Sequence, residues 1–124
     1  NLAEGGRATL DWRIDDAQAF SKAEARILIN LAWMTLSSLA MGGTATITAR
    51  KDEGQCIIVG TAEGARARLK PEAQTGLKGE RLIEGLPGQW IQPYWLWLAI
   101  DEAGGQLKIA TEEGRVGLLA RLPL

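Results

Sequence analysis

The sequence predicts an α/β (α+β) fold: a two-layer α/β sandwich with a mixed sheet and helices on one face. Three observations carry this. Ser21 and Glu24 form a capping-box pair in front of a long segment with helical apolar spacing. Asp52-Glu53-Gly54 and Glu112-Glu113-Gly114 are turn sequences, each between two strand-like runs. Between those hairpins, Ile91 to Ala103 is apolar almost throughout and too long for a strand. The resulting order is strand, helix, hairpin, loop, helix, hairpin.

Taken in turn, Arg7 to Ile14 places Leu10, Trp12 and Ile14 on one face and reads as a first strand, with Asp15 and Asp16 as turn residues. The helix that follows Ser21 should run to about Leu39, with Ile27, Leu28, Leu31, Thr35 and Leu39 on one face. Gly42-Gly43 stops it. Gly43 to Lys51 alternates alanine and isoleucine with threonine and reads as a strand, and Gln55 to Thr61 returns from the turn. Ala62 to Gly88 is the least regular stretch, with short helices expected near Pro71 to Thr75 and near Gly79 to Glu84. Ile91 to Ala103 is the second long helix, with Pro93 expected in its first turn, where a lost N–H costs little. Gly104-Gly105 ends it. Leu107 to Thr111 and Val116 to Leu122 close the sheet.

A length of 124 residues suits one domain over 1–124, and 46% hydrophobic with 23% charged residues argues against disorder. The net charge of −1 gives no electrostatic footprint for nucleic acid. The chain holds no histidine, which excludes phosphohistidine formation, His-based acid–base catalysis and His metal ligation within it. Its single cysteine, Cys56, lies in the apolar run Cys56 to Val59 and reads as a buried thiol. That, and the lack of a signal peptide or membrane span in the sequence, leads to an expected cytoplasmic setting. The chain opens on Asn1 rather than Met, so a fragment of a longer protein is expected.

Three parts of the chain carry a resemblance, one of them the hairpin strand Ile57-Ile58-Val59. Glu24-Ala25-Arg26-Ile27-Leu28-Ile29-Asn30-Leu31, followed by Gly43-Thr44-Ala45-Thr46-Ile47-Thr48, resembles the core of a histidine-kinase ATP-binding domain. So does the end of the chain, from Leu98 through Gly104-Gly105 to Leu122-Pro123-Leu124. The resemblance implies the histidine-kinase and gyrase ATPase-like fold. It also makes the departures informative. The family carries a second Asn one helical turn after Asn30 that helps hold Mg²⁺; here Met34 stands there, and a thioether is a poor ligand for a hard cation. The family ends the strand Ile57-Ile58-Val59 with an Asp that accepts from adenine; here Gly60 follows, then Thr61-Ala62-Glu63-Gly64. The family's second glycine loop falls on Gly88-Gln89-Trp90-Ile91-Gln92-Pro93, where one glycine is left, Trp90 adds bulk and Pro93 removes a donor.

With Ile91-Gln92-Pro93-Tyr94 and the Gly42-Gly43 turn, the chain resembles the C-terminal domain of ChpT-type histidine phosphotransferases. Ser37-Ser38-Leu39-Ala40-Met41 departs from that family's pattern. The resemblance implies a pseudo-ATPase domain that docks partners in a two-component phosphorelay, passing phosphate from the receiver domain of a hybrid kinase to that of a response regulator. The phosphorylated histidine and the dimer contact belong, in that family, to an N-terminal helical hairpin, which is expected to be absent from this chain. The chain alone is then expected to have no catalytic or ATPase activity, no cofactor and no metal. Asn30, Met34, Gly60, Gly64, Gly88 and Trp90 would mark the degenerate nucleotide site. Arg66, Arg68 and Trp90 are candidates for partner contact.

Each of these residues also has a plainer reading. Asn30 reads as a half-buried helix residue bonded to a nearby loop. Arg66, Arg68 and Lys70 also fit a solvated loop. Trp95 and Trp97 are assigned to the core, while Trp90 stays open between packing and exposure. Gly60 to Gly64 has too few glycines for a phosphate loop, and Glu112 and Glu113 read as turn residues rather than a catalytic pair. Two other functions compete: a divergent, active ATP-binding histidine-kinase domain, with Glu63 or Thr61 as replacement ligands, and an unrelated α/β binding domain.

Overall fold

A computed structural model describes residues 8–15 and 18–124. Its five-stranded sheet has the order β1-β2-β3-β5-β4, where β1 is Ala8–Arg13, β2 Gly43–Asp52, β3 Gln55–Glu63, β4 Gln106–Glu112 and β5 Arg115–Pro123. The helices are α1 (Lys22–Ser37), α2 (Pro71–Leu77) and α3 (Pro87–Glu102). β1 runs parallel to β2, and the remaining neighbours are antiparallel, so the sheet is mixed as expected. Alternation sets its two faces. Ala45, Ile47, Cys56, Ile58, Val116, Leu118 and Leu122 are buried under the helices, while Ile57, Val59 and Leu119 are only half-covered on the other side.

The start of α1 is the best-determined boundary. Ser21 accepts from the Glu24 N–H at 3.1 Å, and Glu24 accepts from the Ser21 N–H at 2.7 Å. Lys51, near the end of β2, reaches the same carboxylate at 3.2 Å and so ties the helix entry to the sheet. Burial raises the Glu24 pKa, but the Ser21 N–H and the Lys51 ammonium outweigh it and hold the carboxyl below the ordinary glutamate range. At the other end α1 stops at Ser37, not Leu39. The Ser37 and Ser38 hydroxyls donate back to the Met34 carbonyl at 2.8 and 3.2 Å, and Gly42 adopts φ 96° in the turn that follows. The expected apolar face is correct: Ile27, Leu28, Leu31, Thr35 and Leu39 are all buried.

The β2–β3 hairpin turns through Glu53 (φ 49°) and Gly54 (φ 77°), two left-handed residues that match the twist of the strands. Both strands run slightly longer than the sequence suggested. The first strand begins at Ala8; Arg7 and Asp16 lie outside the described residues. Leu10 and Trp12 do share the helix-side face, yet they remain 43% and 46% exposed, because β1 is an edge strand beyond the cover of α1.

Three expectations need correction in the second half. No helix forms over Gly79–Glu84: Gly79 has φ 71° and Gly85 φ 118°, and the segment between them has no regular secondary structure. α3 begins at Pro87 rather than Ile91, and Pro93 therefore sits inside the helix, not in its first turn. The start is supplied by Pro87 at the first helical position and by Glu72, whose carboxylate accepts from the Leu86 N–H at 3.1 Å. Pro93 is buried where α3 meets α2, against Gly76; a Cβ at Gly76 would lie 2.7 Å from the Trp90 carbonyl oxygen and 2.8 Å from the Tyr94 nitrogen. The third correction concerns the two tryptophans assigned to the core: Trp95 is 58% exposed, and Trp97 is only half-buried. Cys56 is buried, and burial raises its pKa. Among the described residues no helix is long and apolar enough to cross a membrane.

The capping box yields two expected outcomes. Ser21→Ala should lower stability by about 1 kcal/mol, read from the urea midpoint. Because the folded-state pKa of Glu24 is depressed, its stabilisation is present above the ordinary glutamate value and is lost as pH falls through the folded value. Midpoints measured between about pH 7 and 3 should therefore fall less steeply for Glu24→Gln than for the unmodified chain.

Candidate functional site

A cleft of about 560 Å³ opens between the C-terminal end of α1, the β3–α2 connection, the first turn of α3 and the β4–β5 turn. Met34 forms part of its floor, placed there by its position on the flank of α1 and almost fully buried. Ser38, Ala40 and Met41 extend that wall past the helix end. On the β3–α2 side, Ala67 and Leu69 are buried while Arg66, Arg68 and Lys70 point outward. The alternation of small apolar and basic residues is thus that of a strap anchored on the core, which starts with a turn from Gly64 to Ala67. Its backbone is tied to α1, the Arg68 N–H donating to the Ser38 carbonyl at 3.1 Å. Lys70 donates to the Gln89 side chain at 3.1 Å and closes the end of the cleft toward α3. Glu112, Glu113 and Gly114 contribute the remaining wall.

The structure separates the residues singled out in the sequence. Asn30 is exposed, one turn before Met34, and is not part of the cleft lining; the half-buried, hydrogen-bonded reading of it is incorrect. Gly60 lies beneath α1, where a Cβ would overlap the Thr35 hydroxyl and come within 2.8 Å of Leu31 Cδ2. The Thr35 hydroxyl is itself fixed by donating to the Leu31 carbonyl at 2.7 Å. No side chain projects from position 60 toward the cleft, and none fits. Gly64 serves backbone packing. Its N–H donates to the Gly114 carbonyl at 3.0 Å, and a Cβ would lie 2.5 Å from the Gly42 carbonyl oxygen. Gly88 stands in the first turn of α3 with open space beside it.

Trp90 does not occupy a phosphate-facing loop. It lies in α3, half-buried, stacks on Tyr94 at 4.7 Å between ring centroids and donates from Nε1 to the Glu80 carbonyl at 2.9 Å. That bond secures the irregular segment at Glu80, where the sequence predicts a helix. Of the partner-contact candidates, Arg66 and Arg68 remain exposed at the cleft, and neither has a carboxylate within ion-pair distance among the described residues. Met41, Gln89 and the Glu112–Glu113 pair were not anticipated as cleft residues. They come from elements far apart in sequence, so only the sheet order brings them together. Among the described residues no group of His, Cys, Asp and Glu is arranged to hold a metal ion.

A probe of the backbone packing that adds a single methyl group is Gly64→Ala. With φ unremarkable there, its effect isolates the Cβ overlap with Gly42, and a loss of about 1 to 3 kcal/mol in stability, measured by urea unfolding, is expected.

Comparison with solved structures gives the same architecture. A bacterial phosphotransferase solved at 1.7 Å superposes with a TM-score of 0.78 at 20% identity, covering 91% of this chain and 55% of that one. The mycobacterial sensor histidine kinase MprB gives 0.64 at 18% identity, over 94% of this chain and 81% of that one. Full-length ShkA in complex with AMPPNP gives 0.69 at 16% identity, over 98% of this chain and 27% of that one. The chain thus spans about 55% of the length of the phosphotransferase. At these identities the likeness shows the fold. Comparison with curated proteins returns no match. Residues 1–115 match the histidine phosphotransferase C-terminal domain, and the chain belongs to that family.

Proposed function

We propose that this domain serves a histidine phosphotransferase as an ATP-independent docking platform in a two-component phosphorelay. Its partners would be the receiver domains of a hybrid histidine kinase and of a response regulator. The observation that carries the reading is the chemistry of the cleft. Its floor is the Met34 thioether where a kinase places a Mg²⁺-binding Asn, and Gly60, where a kinase places its adenine-binding Asp, is sealed beneath Thr35 and Leu31. A hard cation finds no oxygen donor at Met34, and an adenine amino group finds no acceptor at position 60.

The cleft nevertheless keeps an apolar floor with Arg66 and Arg68 free at its mouth, which suits an acidic protein surface. With no histidine in the chain, the transferred phosphoryl group would reside on a histidine supplied by an N-terminal helical hairpin of the full-length homodimer. The contribution of this domain would be to hold the receiver in register with that histidine, since positioning alone supplies a large share of such rate enhancements. The Mg²⁺ of the reaction would belong to the receiver.

The test is a titration of isotope-labelled domain with Mg-ATP, followed on backbone amides. Resonances of Gly60, Gly88 and Trp90 should stay in place through millimolar nucleotide. Saturable shifts there would overturn the proposal in favour of a divergent ATP-binding kinase domain. In the full-length protein, Arg66→Glu with Arg68→Glu should slow phosphotransfer to a receiver by about tenfold while leaving the thermal midpoint within a few degrees.

A further inference from the structure

We propose that the shelf between β1 and the free flank of α1 is the seat of a further helix, supplied by the stretch of the full-length polypeptide immediately N-terminal to this domain. The layout of the helical layer points there. α1 lies over β3, where Gly60 meets Thr35 and Leu31, and α3 lies against β4, two strands to one side. Two strand spacings are about 9.5 Å, which matches the separation of packed helix axes. Two strands to the other side stands β1, and among the described residues no helix covers it. The surface left open is apolar. Leu10 and Trp12 rise half-exposed from β1 on the helix side. Helical spacing puts Leu28, Ile29, Ala32 and Leu36 on one flank of α1, and Asn30, Met34 and Ser37 on the other. Met34 and Ser37 line the cleft with the β4–β5 turn, so the first flank faces β1. It carries no charge. Ile29 is 64% exposed, and Trp33 is exposed at the crest of the helix. Two tryptophans and two aliphatic side chains open at one corner mark an interface, and a covering helix is a common way to close a strand edge.

The sequence indicates the source of the helix. Gly42-Gly43 follows α1 and opens β2, and Gly104-Gly105 follows α3 and leads into β4. The same dipeptide occurs once more, as Gly5-Gly6, just before β1. Each of the other two pairs joins a helix to the strand behind it. By the same rule a helix precedes Gly5-Gly6, and a link of about two to six residues is enough to lay it back over the strand it feeds. The matched family is a C-terminal domain, and this chain spans 55% of the similar phosphotransferase, which leaves that protein ample chain for such a helix. A second copy of the domain supplies none, because α1, α2 and α3 already lie in its own helical layer. In the proposed relay the seat would fix the orientation of this domain relative to the chain bearing the histidine. That consequence rests on the docking proposal; the seat itself does not.

The test is hydroxyl-radical oxidation of the full-length protein, read at each tryptophan by mass spectrometry. Trp33 and Trp95 are almost equally exposed in this domain, at 60% and 58%. With the helix seated, Trp33 should oxidise about fivefold more slowly than Trp95, because a packed interface excludes water. Equal rates would overturn the proposal. Ile29→Glu alters an exposed position and places a charge in the seat, so it should return Trp33 to the rate of Trp95. A Trp33 that stays slow in that variant would overturn the proposal as well. Benzoylphenylalanine in place of Trp33 should crosslink, within the same chain, to the segment just before Gly5-Gly6. Crosslinks to a second copy or to another protein would overturn the assignment of the occupant. No receiver takes part in these measurements, so their failure leaves the docking reading standing.

Discussion

The backbone of β3 at Gly60 lies against Thr35 and Leu31 of α1 without room for a single methyl group, and much else follows from that contact. It fixes how deeply α1 sits on the sheet. It brings Ile27 and Leu31 against Ile47, Ile58 and Leu118, where the largest side chains of the core are fully enclosed. It also fixes the rotation of α1 about its axis, and hence the direction in which Met34 points. The Thr35 hydroxyl, which would be a buried orphan in so tight a place, is satisfied within its own helix by the Leu31 carbonyl. A polar side chain at position 60 would need α1 to lift away, exposing the centre of the core. In this chain, the packing that seats α1 on the sheet also leaves no room for a side chain at position 60.

A second set of close approaches shapes the rim. Gly42, Gly43, Gly64 and Gly114 bring the end of α1, the end of β3 and the β4–β5 turn together through backbone alone. Gly43 adopts φ 131° and sits under the Glu63 carbonyl, so a side chain is barred there by conformation as well as by space. These glycines read in sequence as loop punctuation or as remnants of a phosphate cradle. In the fold they act as spacers that let three elements meet, and the mouth of the cleft owes its width to them.

Most of the architecture was legible from local signals. The capping box at Ser21, the glycine stops and the two hairpin turns are decided by residues within a few positions of each other, and such signals survive in a single sequence. What was misread depends on distant partners. Trp90 looked like an obstacle in a loop because nothing nearby in sequence announces that Glu80 offers its carbonyl. Pro93 was placed at a helix start because proline favours that position. Pro87 takes the start instead, and Pro93 is accepted in mid-helix where α2 packs closely at Gly76. The exposure of Trp95 and of Asn30 likewise follows from which side of each helix faces the sheet, a matter of tertiary rotation and not of composition. Of the cleft, Met34 and the two arginines were visible in advance; the acidic wall was not, since only the β3–β5 pairing carries the last turn to that place.

The strap from Gly64 to Lys70 is held at both ends and in the middle: by Gly114 at its start, by Ser38 at Arg68 and by Gln89 at Lys70. Its alternate side chains, Ala67 and Leu69, are sunk into the core. A segment anchored this way has little configurational freedom left to lose on contact with another molecule. Encounters on this side of the domain therefore begin from a surface already in its final shape. A molecule that docked here would need no gating step between approach and capture, and the field at the cleft would be that of Arg66 and Arg68 together with Glu112 and Glu113.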